Sequence, residues 1–282
     1  MARLLCVHAH PDDEASKDAP TVAKYASMGH SVYLVCATGG EEGDILNPVM
    51  DRPEVRENLA EVRALELQAS VKIIGYQQLD WLGYRDSGMP EDEANLKSDC
   101  FAQADLDEAT GRLVSILRRV QPHVIITYGD DQQGYRHPDH LRVHDVSVLA
   151  FDRAGDESWY PEAGPVWQPQ KLYYSMRSRA RLLAHQAAYE RLGLESPYDE
   201  SWFERRSIDH RITTTVDITG FYGVRRDALL AHATQVDPNE KFWFGLPDDA
   251  AVEAYPYDDF ILAKSHVKLD IPERDLLAGV KD

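Results

Sequence analysis

The short apolar run Leu4-Leu5-Cys6-Val7 breaks, just past His8-Ala9-His10-Pro11, into three consecutive carboxylates, Asp12, Asp13 and Glu14. A run of that length and character reads as a buried strand. In an open α/β sheet the carboxyl end of a strand is where ligands bind. Adjacent carboxylates repel one another unless a cation or solvent screens them. His10 with Asp12 and Asp13 at that point therefore looks like half of a metal site. The rest of the chain has to supply the other half.

Downstream, short apolar runs alternate with helical patterns. Thr21 to Met28 reads as a helix closed by Gly29, and Ser31 to Ala37 as a second buried strand. The latter ends in Thr38-Gly39-Gly40-Glu41-Glu42-Gly43-Asp44, a glycine-rich loop without the dinucleotide-binding spacing. Pro53 opens a predicted helix to Ala69, with Val55, Leu59, Val62, Leu65 and Ala69 on one apolar face. A third strand falls at Leu79 to Leu82, followed by the loop Gly83 to Pro90 and a polar surface excursion over 90–105. Leu106 to Val120 is a strongly patterned helix, and Pro122 leads into a strand from His123 to Tyr128. Farther on, Lys171 to Met176 and Arg211 to Ile218 read as strands, Arg177 to Leu192 and Gly223 to Thr234 as helices, and Ser196 to Arg206 as a loop. This alternation predicts an α/β fold: a Rossmann-like, mostly parallel sheet flanked by helices. No repeat or linker divides the chain. The expectation is one domain over 1–282, with a core over 1–150 and a C-terminal elaboration over 151–282 that shapes the substrate site.

The strand ending at Tyr128 runs through a polar loop into Tyr135-Arg136-His137-Pro138-Asp139-His140. Pro138 suits the first helical position, which puts His137 at the N-cap. His137, His140 and His144 then share roughly one stripe of the helix. Two His-Pro-Asp motifs, each just past a strand, can meet over one edge of the sheet and share a metal. Two histidines, a carboxylate and an open position form the pattern of catalytic zinc and equally of non-haem iron. A leftover carboxylate, Asp12 or Asp13, supplies the base that hydrolysis by a metal-bound water needs and an oxygenase does not. On the residues alone these two carboxylates can trade roles, and His144 competes with His140.

Composition narrows the partners. Lys and Arg number 30 against 48 acidic residues, a net charge of −18, which is a poor match for nucleic acid. No apolar stretch is long enough for a membrane span, and the start lacks a basic-then-apolar signal. Cys6, Cys36 and Cys100 are scattered and read as buried free thiols of a cytoplasmic protein. The tryptophans Trp81, Trp159, Trp167, Trp202 and Trp243 read as core or interface residues.

The motif Ala9-His10-Pro11-Asp12-Asp13-Glu14, taken with His137-Pro138-Asp139-His140, resembles the LmbE/PIG-L family of zinc-dependent N-acyl-sugar deacetylases. Gly39-Gly40-Glu41, Gly43 to Pro48, Arg85-Asp86-Ser87-Gly88, Lys171 to Tyr174 and Ala231 to Pro238 extend the resemblance, within that family, to the mycothiol S-conjugate amidases. It implies an LmbE-like fold and one Zn2+ per chain, Fe2+ being an admissible substitute, held by His10, Asp13 and His140. It further implies Asp12 as general base and His137 as oxyanion stabiliser or acid, its ring oriented by Asp139. Tyr135 would offer a phenol to the oxyanion, Arg63 and Asp86 would bind sugar and inositol hydroxyls, and Lys17 would lie near the acyl substituent. On this reading the partner is a small thiol-sugar conjugate, with neither nucleic acid nor membrane; a homo-oligomer is left open. The implied reaction is hydrolysis of the amide in a mycothiol S-conjugate to a mercapturic acid and glucosaminyl-inositol, for detoxification. The alternatives are deacetylation of N-acetylglucosaminyl-inositol, natural-product tailoring, a non-haem iron oxygenase, or a sugar binder without turnover.

Some roles stay open. Arg63 has a plain alternative in pairing with Glu66. Glu14 is either an orienter of a metal-bound histidine or a helix-start carboxylate. His8 is expected packed in its strand and His232 near the site. Arg136 departs from the family pattern, which carries a small residue or proline there. A cation at that point would disfavour protonated His137.

Overall fold

The computed structural model describes residues 1–132 and 134–281. Among them, seven strands form one sheet: β1 (Arg3–His8), β2 (Ser31–Thr38), β3 (Gln78–Tyr84), β4 (Val124–Tyr128), β5 (Lys171–Met176), β6 (Thr214–Asp217) and β7 (Tyr257–Ser265). Their order is β3-β2-β1-β4-β5-β7-β6. The first five are parallel neighbours, and β7 pairs antiparallel with β5 and β6. The mostly parallel α/β sheet expected from the alternation is present.

The helices of the first half are α1 (Asp13–Lys17), α2 (Ala19–Ser27), α3 (Pro53–Glu57), α4 (Leu59–Ile74), α5 (Leu106–Val120) and α6 (Pro138–Arg153). The second half adds α7 (Arg179–Leu192), α8 (Glu200–Glu204), α9 (Tyr222–Ala231), α10 (Lys241–Phe244) and α11 (Asp248–Ala254). Successive strand residues point to opposite faces, so β1 feeds two cores. Leu5 and Val7 pack with Leu113 and Leu117 of α5 and Val143 and Val146 of α6. Leu4 and Cys6 pack with Val22 and Tyr25 of α2, Leu67 of α4 and Leu229 of α9. Both layers are buried apolar clusters, and burial of this kind contributes roughly 25 cal/mol per Å2 of apolar surface.

The strand order fixes where a ligand goes. From β1 the chain steps to β2 and β3 on one side, and β4 lies on the other. That reversal opens a crevice at the carboxyl ends of β1 and β4. Both histidine loops leave the sheet there.

Four readings needed correction. The predicted helix from Pro53 to Ala69 breaks at Asn58, which leaves helical geometry (φ −125°, ψ 30°) and donates from its side chain to Glu54 O. The buried face of α4 is also not the apolar one: Leu65 is 66% exposed, while Arg63, Glu66, Leu67, Ser70 and Ile74 are buried. Leu67 and Ile74 on that face join the apolar core, while Arg63 reaches the crevice and Glu66 and Ser70 bond to Thr234 and Glu14. The 90–105 excursion buries Cys100 and Phe101, and 196–206 contains α8. The edge strand is shorter than read, Thr214–Asp217 instead of Arg211 to Ile218, and its neighbour β7 went unread. Asp258 and Asp259 interrupt the apolar pattern of β7, yet both are buried, bonded to Thr21, Ser178, Tyr255, Arg181 and Arg225.

Candidate active site

β1 delivers His10 and Asp13 to the crevice; α6 delivers His140 from across it. One donor atom from each of these three buried side chains lies within 4.8 Å of the others. Asp13 stands between the rings: Oδ2 is 3.5 Å from His10 Nδ1, and Oδ1 is 3.4 Å from His140 Nε2. Tetrahedral bonds of about 2.0–2.2 Å separate ligand atoms by roughly 3.3–3.6 Å. The donor set and spacing fit a divalent transition metal.

The electrostatics agree. Burial works against charge on His10, yet Asp13, Asp139 and Asp86 hold its pKa well above the usual imidazole range, a sign of a pocket that wants positive charge. Burial would raise Asp13, but His140, Lys17 and His10 hold it well below the carboxylate range. Burial pushes His140 down to about 3. Asp13 ionised and His140 neutral are the forms a metal binds, whereas His10, held protonated by its carboxylates, would release its proton to an incoming cation.

The surrounding bonds lock these groups. Tyr128 at the end of β4 donates to Asp13 Oδ2 at 2.6 Å, and the Ala9 N–H donates to the Tyr128 hydroxyl at 2.8 Å. His10 N–H donates to the same Asp13 oxygen at 2.9 Å. His10 Nε2 lies 3.1 Å from Asp139 Oδ2 and 3.5 Å from Asp86 Oδ1. Asp139 in turn accepts from the Ser87 hydroxyl and N–H. Carboxylate-to-histidine contacts of this kind fix the tautomer and aim the other nitrogen at a metal. A second cluster, His10, His137 and Asp139, also comes within 4.8 Å, but there Asp139 is committed to Ser87. His144 turns away, its Nδ1 3.1 Å from Tyr128 O.

Asp12 has a φ of 123°, a conformation L residues rarely adopt. Arg63 holds it there. Its guanidinium donates to Pro11 O at 2.6 Å, Gly40 O at 2.7 Å and Asp12 Oδ2 at 3.1 Å. A Cβ on Gly40 or Gly43 would collide with that guanidinium, which explains two of the glycines in the loop. Glu66, the alternative partner for Arg63, instead accepts from the Thr234 N–H and hydroxyl. Glu14 takes the Asp12 N–H at 3.0 Å, the Ser70 hydroxyl at 2.5 Å, and lies 2.7 Å from His232 Nε2. Burial raises Asp12 to about 6, with Arg63 opposing and Asp13 adding to the rise.

His137 caps α6 through Nδ1, which accepts the Asp139 N–H at 3.2 Å. Its neutral form therefore carries hydrogen on Nε2. Asp139 orients this ring by its backbone, while its carboxylate serves His10. Burial and the neighbouring His10 lower His137; Arg136 is exposed and is not the cause. Tyr135 is 55% exposed at the mouth, its ring 6.2 Å from that of His137. Lys17 Nζ is 3.2 Å from Asp13 Oδ1 and 4.9 Å from the Tyr128 ring centre. Asp86 accepts from the Gly88 and Glu42 N–H groups. His8 is packed beneath, Nε2 3.2 Å from Asp18 Oδ1.

His10, Asp12, Asp13, Lys17, Arg63, Asp86, Tyr128, Tyr135, His137 and His140 line a cavity of about 1150 Å3. Trp202 and Trp243, read as core or interface residues, line it too. Tyr128, Ser70 and Ser87 went unread. Two of the three carried a signal: Tyr128 ends a strand at the same sheet edge, and Ser87 stands in the Arg85-Asp86-Ser87-Gly88 motif.

Comparison with known proteins agrees with this geometry. Residues 5–151 match the family described as PIG-L, GlcNAc-PI de-N-acetylase. The chain is 45% identical to a mycothiol S-conjugate amidase of Streptomyces coelicolor, over 99% of this chain and 98% of that protein. It is 36% identical to 1D-myo-inositol 2-acetamido-2-deoxy-alpha-D-glucopyranoside deacetylase 1 of Catenulispora acidiphila, over 99% and 89%. Among solved structures, N,N'-diacetylchitobiose deacetylase of Pyrococcus horikoshii superposes with a TM-score of 0.64 at 19% identity, covering 92% of this chain and 83% of that one. GalB, a 4-carboxy-2-hydroxymuconate hydratase of Pseudomonas putida, gives 0.63 at 19%, covering 96% and 99%, so the fold alone does not choose the reaction. Match and identity together settle the lineage: the chain belongs to the PIG-L (LmbE) family of GlcNAc-PI de-N-acetylases.

Proposed function

We infer that this protein is a zinc-dependent amidase that hydrolyses mycothiol S-conjugates to a mercapturic acid and glucosaminyl-inositol. One observation carries the substrate class: the 45% identity to a mycothiol S-conjugate amidase extends over 99% of the chain, through the C-terminal elaboration that walls the cavity. His10, Asp13 and His140 would hold the ion. When bound, it supplies Lewis-acid polarisation of the scissile carbonyl and a more acidic water.

The protein's own groups do the rest. Asp12, fixed by Arg63 and by its N–H bond to Glu14, takes the proton of the attacking water; a base with a pKa raised toward neutrality suits that step. Neutral His137, with hydrogen on Nε2, donates a hydrogen bond to the developing oxyanion, and the proton that Asp12 took from the water passes to the leaving amine as the C–N bond breaks. Tyr135 adds a phenol from the mouth. Lys17 neutralises Asp13 and faces the acyl side. An iron oxygenase, the other chemistry the donor set admits, has no use for Asp12. Three buried free thiols suit a reducing compartment, and we place the protein in the cytoplasm.

The within-family rival is deacetylation of N-acetylglucosaminyl-inositol, the activity named for several relatives at 35–39% identity. Amine release from a mycothiol bimane conjugate, measured beside the N-acetyl sugar, decides between them. A clear preference for the conjugate is expected; a strong preference for the sugar overturns the amidase assignment.

A further inference from the structure

The cavity is electrically polarised along the strand order. The loops after β2 and β3 line it with Glu42, Asp44, Asp86, Asp92 and Glu93, with Lys97 as a cation among them, and the loop after β4 adds Asp131 and Asp130, the latter paired with Arg211. Such carboxylates accept hydrogen bonds from hydroxyls and suit a polyol. The segments that follow β5 line it with Arg177, Arg181 and Arg205, beside Trp202, Phe242 and Trp243. In the sheet, β5 lies beyond β4, opposite β2 and β3.

The arginine side is a built recess. A smaller cavity, of about 80 Å3, opens there; Arg177, Arg181, Trp202 and Arg205 line both it and the catalytic cavity. Arg177 stacks 4.8 Å from the Phe242 ring centre and 5.2 Å from Trp243, and Arg205 lies 4.0 Å from Trp202. Stacking fixes the guanidinium planes, which is the arrangement for paired recognition of a carboxylate. Asp258 serves both Arg181, at 3.4 Å, and Arg225, at 2.6 Å. Asp259 is occupied by Ser178 and Tyr255. Arg181 is 8% exposed and His185 7%, and Arg181 Nε and His185 Nε2 have no hydrogen-bond partner among the described residues. In a chain of net charge −18, such a concentration of arginine at one wall is not an average surface.

We propose that this recess, formed by Arg177, Arg181, Arg205, Trp202 and Phe242, is the subsite for an acidic group on the S-substituent, so that the enzyme selects conjugates carrying a carboxylate there. The proposal rests on the amidase reading and adds to it the chemical class of the preferred conjugate. It orients the substrate: the sugar and inositol hydroxyls face the acidic loops, and the acyl end with its sulfur substituent faces the arginines.

The test compares the S-carboxymethyl and S-carbamidomethyl conjugates of mycothiol, which differ by a carboxylate oxygen against an amide nitrogen. A charge-assisted contact of this kind corresponds to a preference of roughly tenfold or more in kcat/KM for the carboxymethyl conjugate. In Arg205→Gln, at an exposed position, and in Arg177→Gln the ratio between the two conjugates should fall to about threefold or less. Hydrolysis of both conjugates with equal kcat/KM by the native enzyme overturns the subsite and leaves the amidase standing. Full retention of the preference in both variants overturns its assignment to these arginines. Hydrolysis of neither overturns the amidase reading and this proposal with it.

Discussion

Replacing Arg63 by Met tests what holds Asp12, the proposed base. The guanidinium is buried and donates to Pro11 O, Gly40 O and Asp12 Oδ2 at 2.6, 2.7 and 3.1 Å. Methionine fills much of the volume and donates nothing. Asp12 then loses the cation that holds it at a φ of 123°. A hydrogen bond to a charged group contributes roughly 1.5–3 kcal/mol. If that is lost from the transition state, kcat falls roughly 10- to 150-fold. KM should stay within about twofold, because both terminal nitrogens of Arg63 already donate to the protein. The pH profile gives a second readout. Asp12 must be ionised to act as base, so activity is lost as pH falls through its pKa. Burial raises that pKa to about 6 and Arg63 opposes the rise. Without Arg63 the pKa climbs, and the acid limb moves to higher pH. A bound ion acts on Asp12 in both proteins, so the difference between them isolates Arg63. The assay is amine release across pH with Tm measured alongside, since each unpaired carbonyl costs about 1–3 kcal/mol of stability. A raised KM with unchanged kcat and an unmoved acid limb would refute the reasoning and return Arg63 to sugar binding.

Asp12→Ala should retain the metal while turnover falls by roughly two to four powers of ten; equal activity would remove Asp12 as base. His140→Ala should lose the metal on dialysis and His144→Ala should keep it, read by metal analysis, because His144 faces Tyr128 O. His185 makes stability depend on pH. Burial, Arg181, Arg177 and Arg225 push it down to about 3 from 6.5, so below pH 6.5 the unfolded chain binds a proton that the folded one refuses. That stability is present above 6.5 and is lost toward 3 at up to about 1.4 kcal/mol per pH unit. Denaturation of His185→Gln should show a flatter slope over that interval, and superimposable slopes would contradict it.

The parts of the fold set by apolar periodicity were readable: β1, β2, β4, β5 and α5 each bury a continuous or regularly spaced apolar set. Elements that bury polar groups were not. On α4 Arg63, Glu66 and Ser70 turn inward beside Leu67 and Ile74, so hydrophobic spacing pointed to the wrong face. In β7 the buried pair Asp258 and Asp259 hid a strand whose charge partners, Arg181 and Arg225, come from two distant helices. The His-Pro-Asp motifs exposed the candidate site because ligands at strand ends lie close along the chain. The groups that hold those ligands were scattered: Tyr128 on β4, Ser87 in the loop after β3, His232 beyond α9. Trp202 and Trp243 likewise reach the cavity on short helices with no period long enough to read.

The most direct test of the central claim pairs metal analysis of the purified protein with amine release from a mycothiol S-conjugate, before and after chelation. One zinc per chain is expected, with activity lost when the metal is removed and restored when zinc is returned. Unchanged amine release from protein stripped of metal would contradict it.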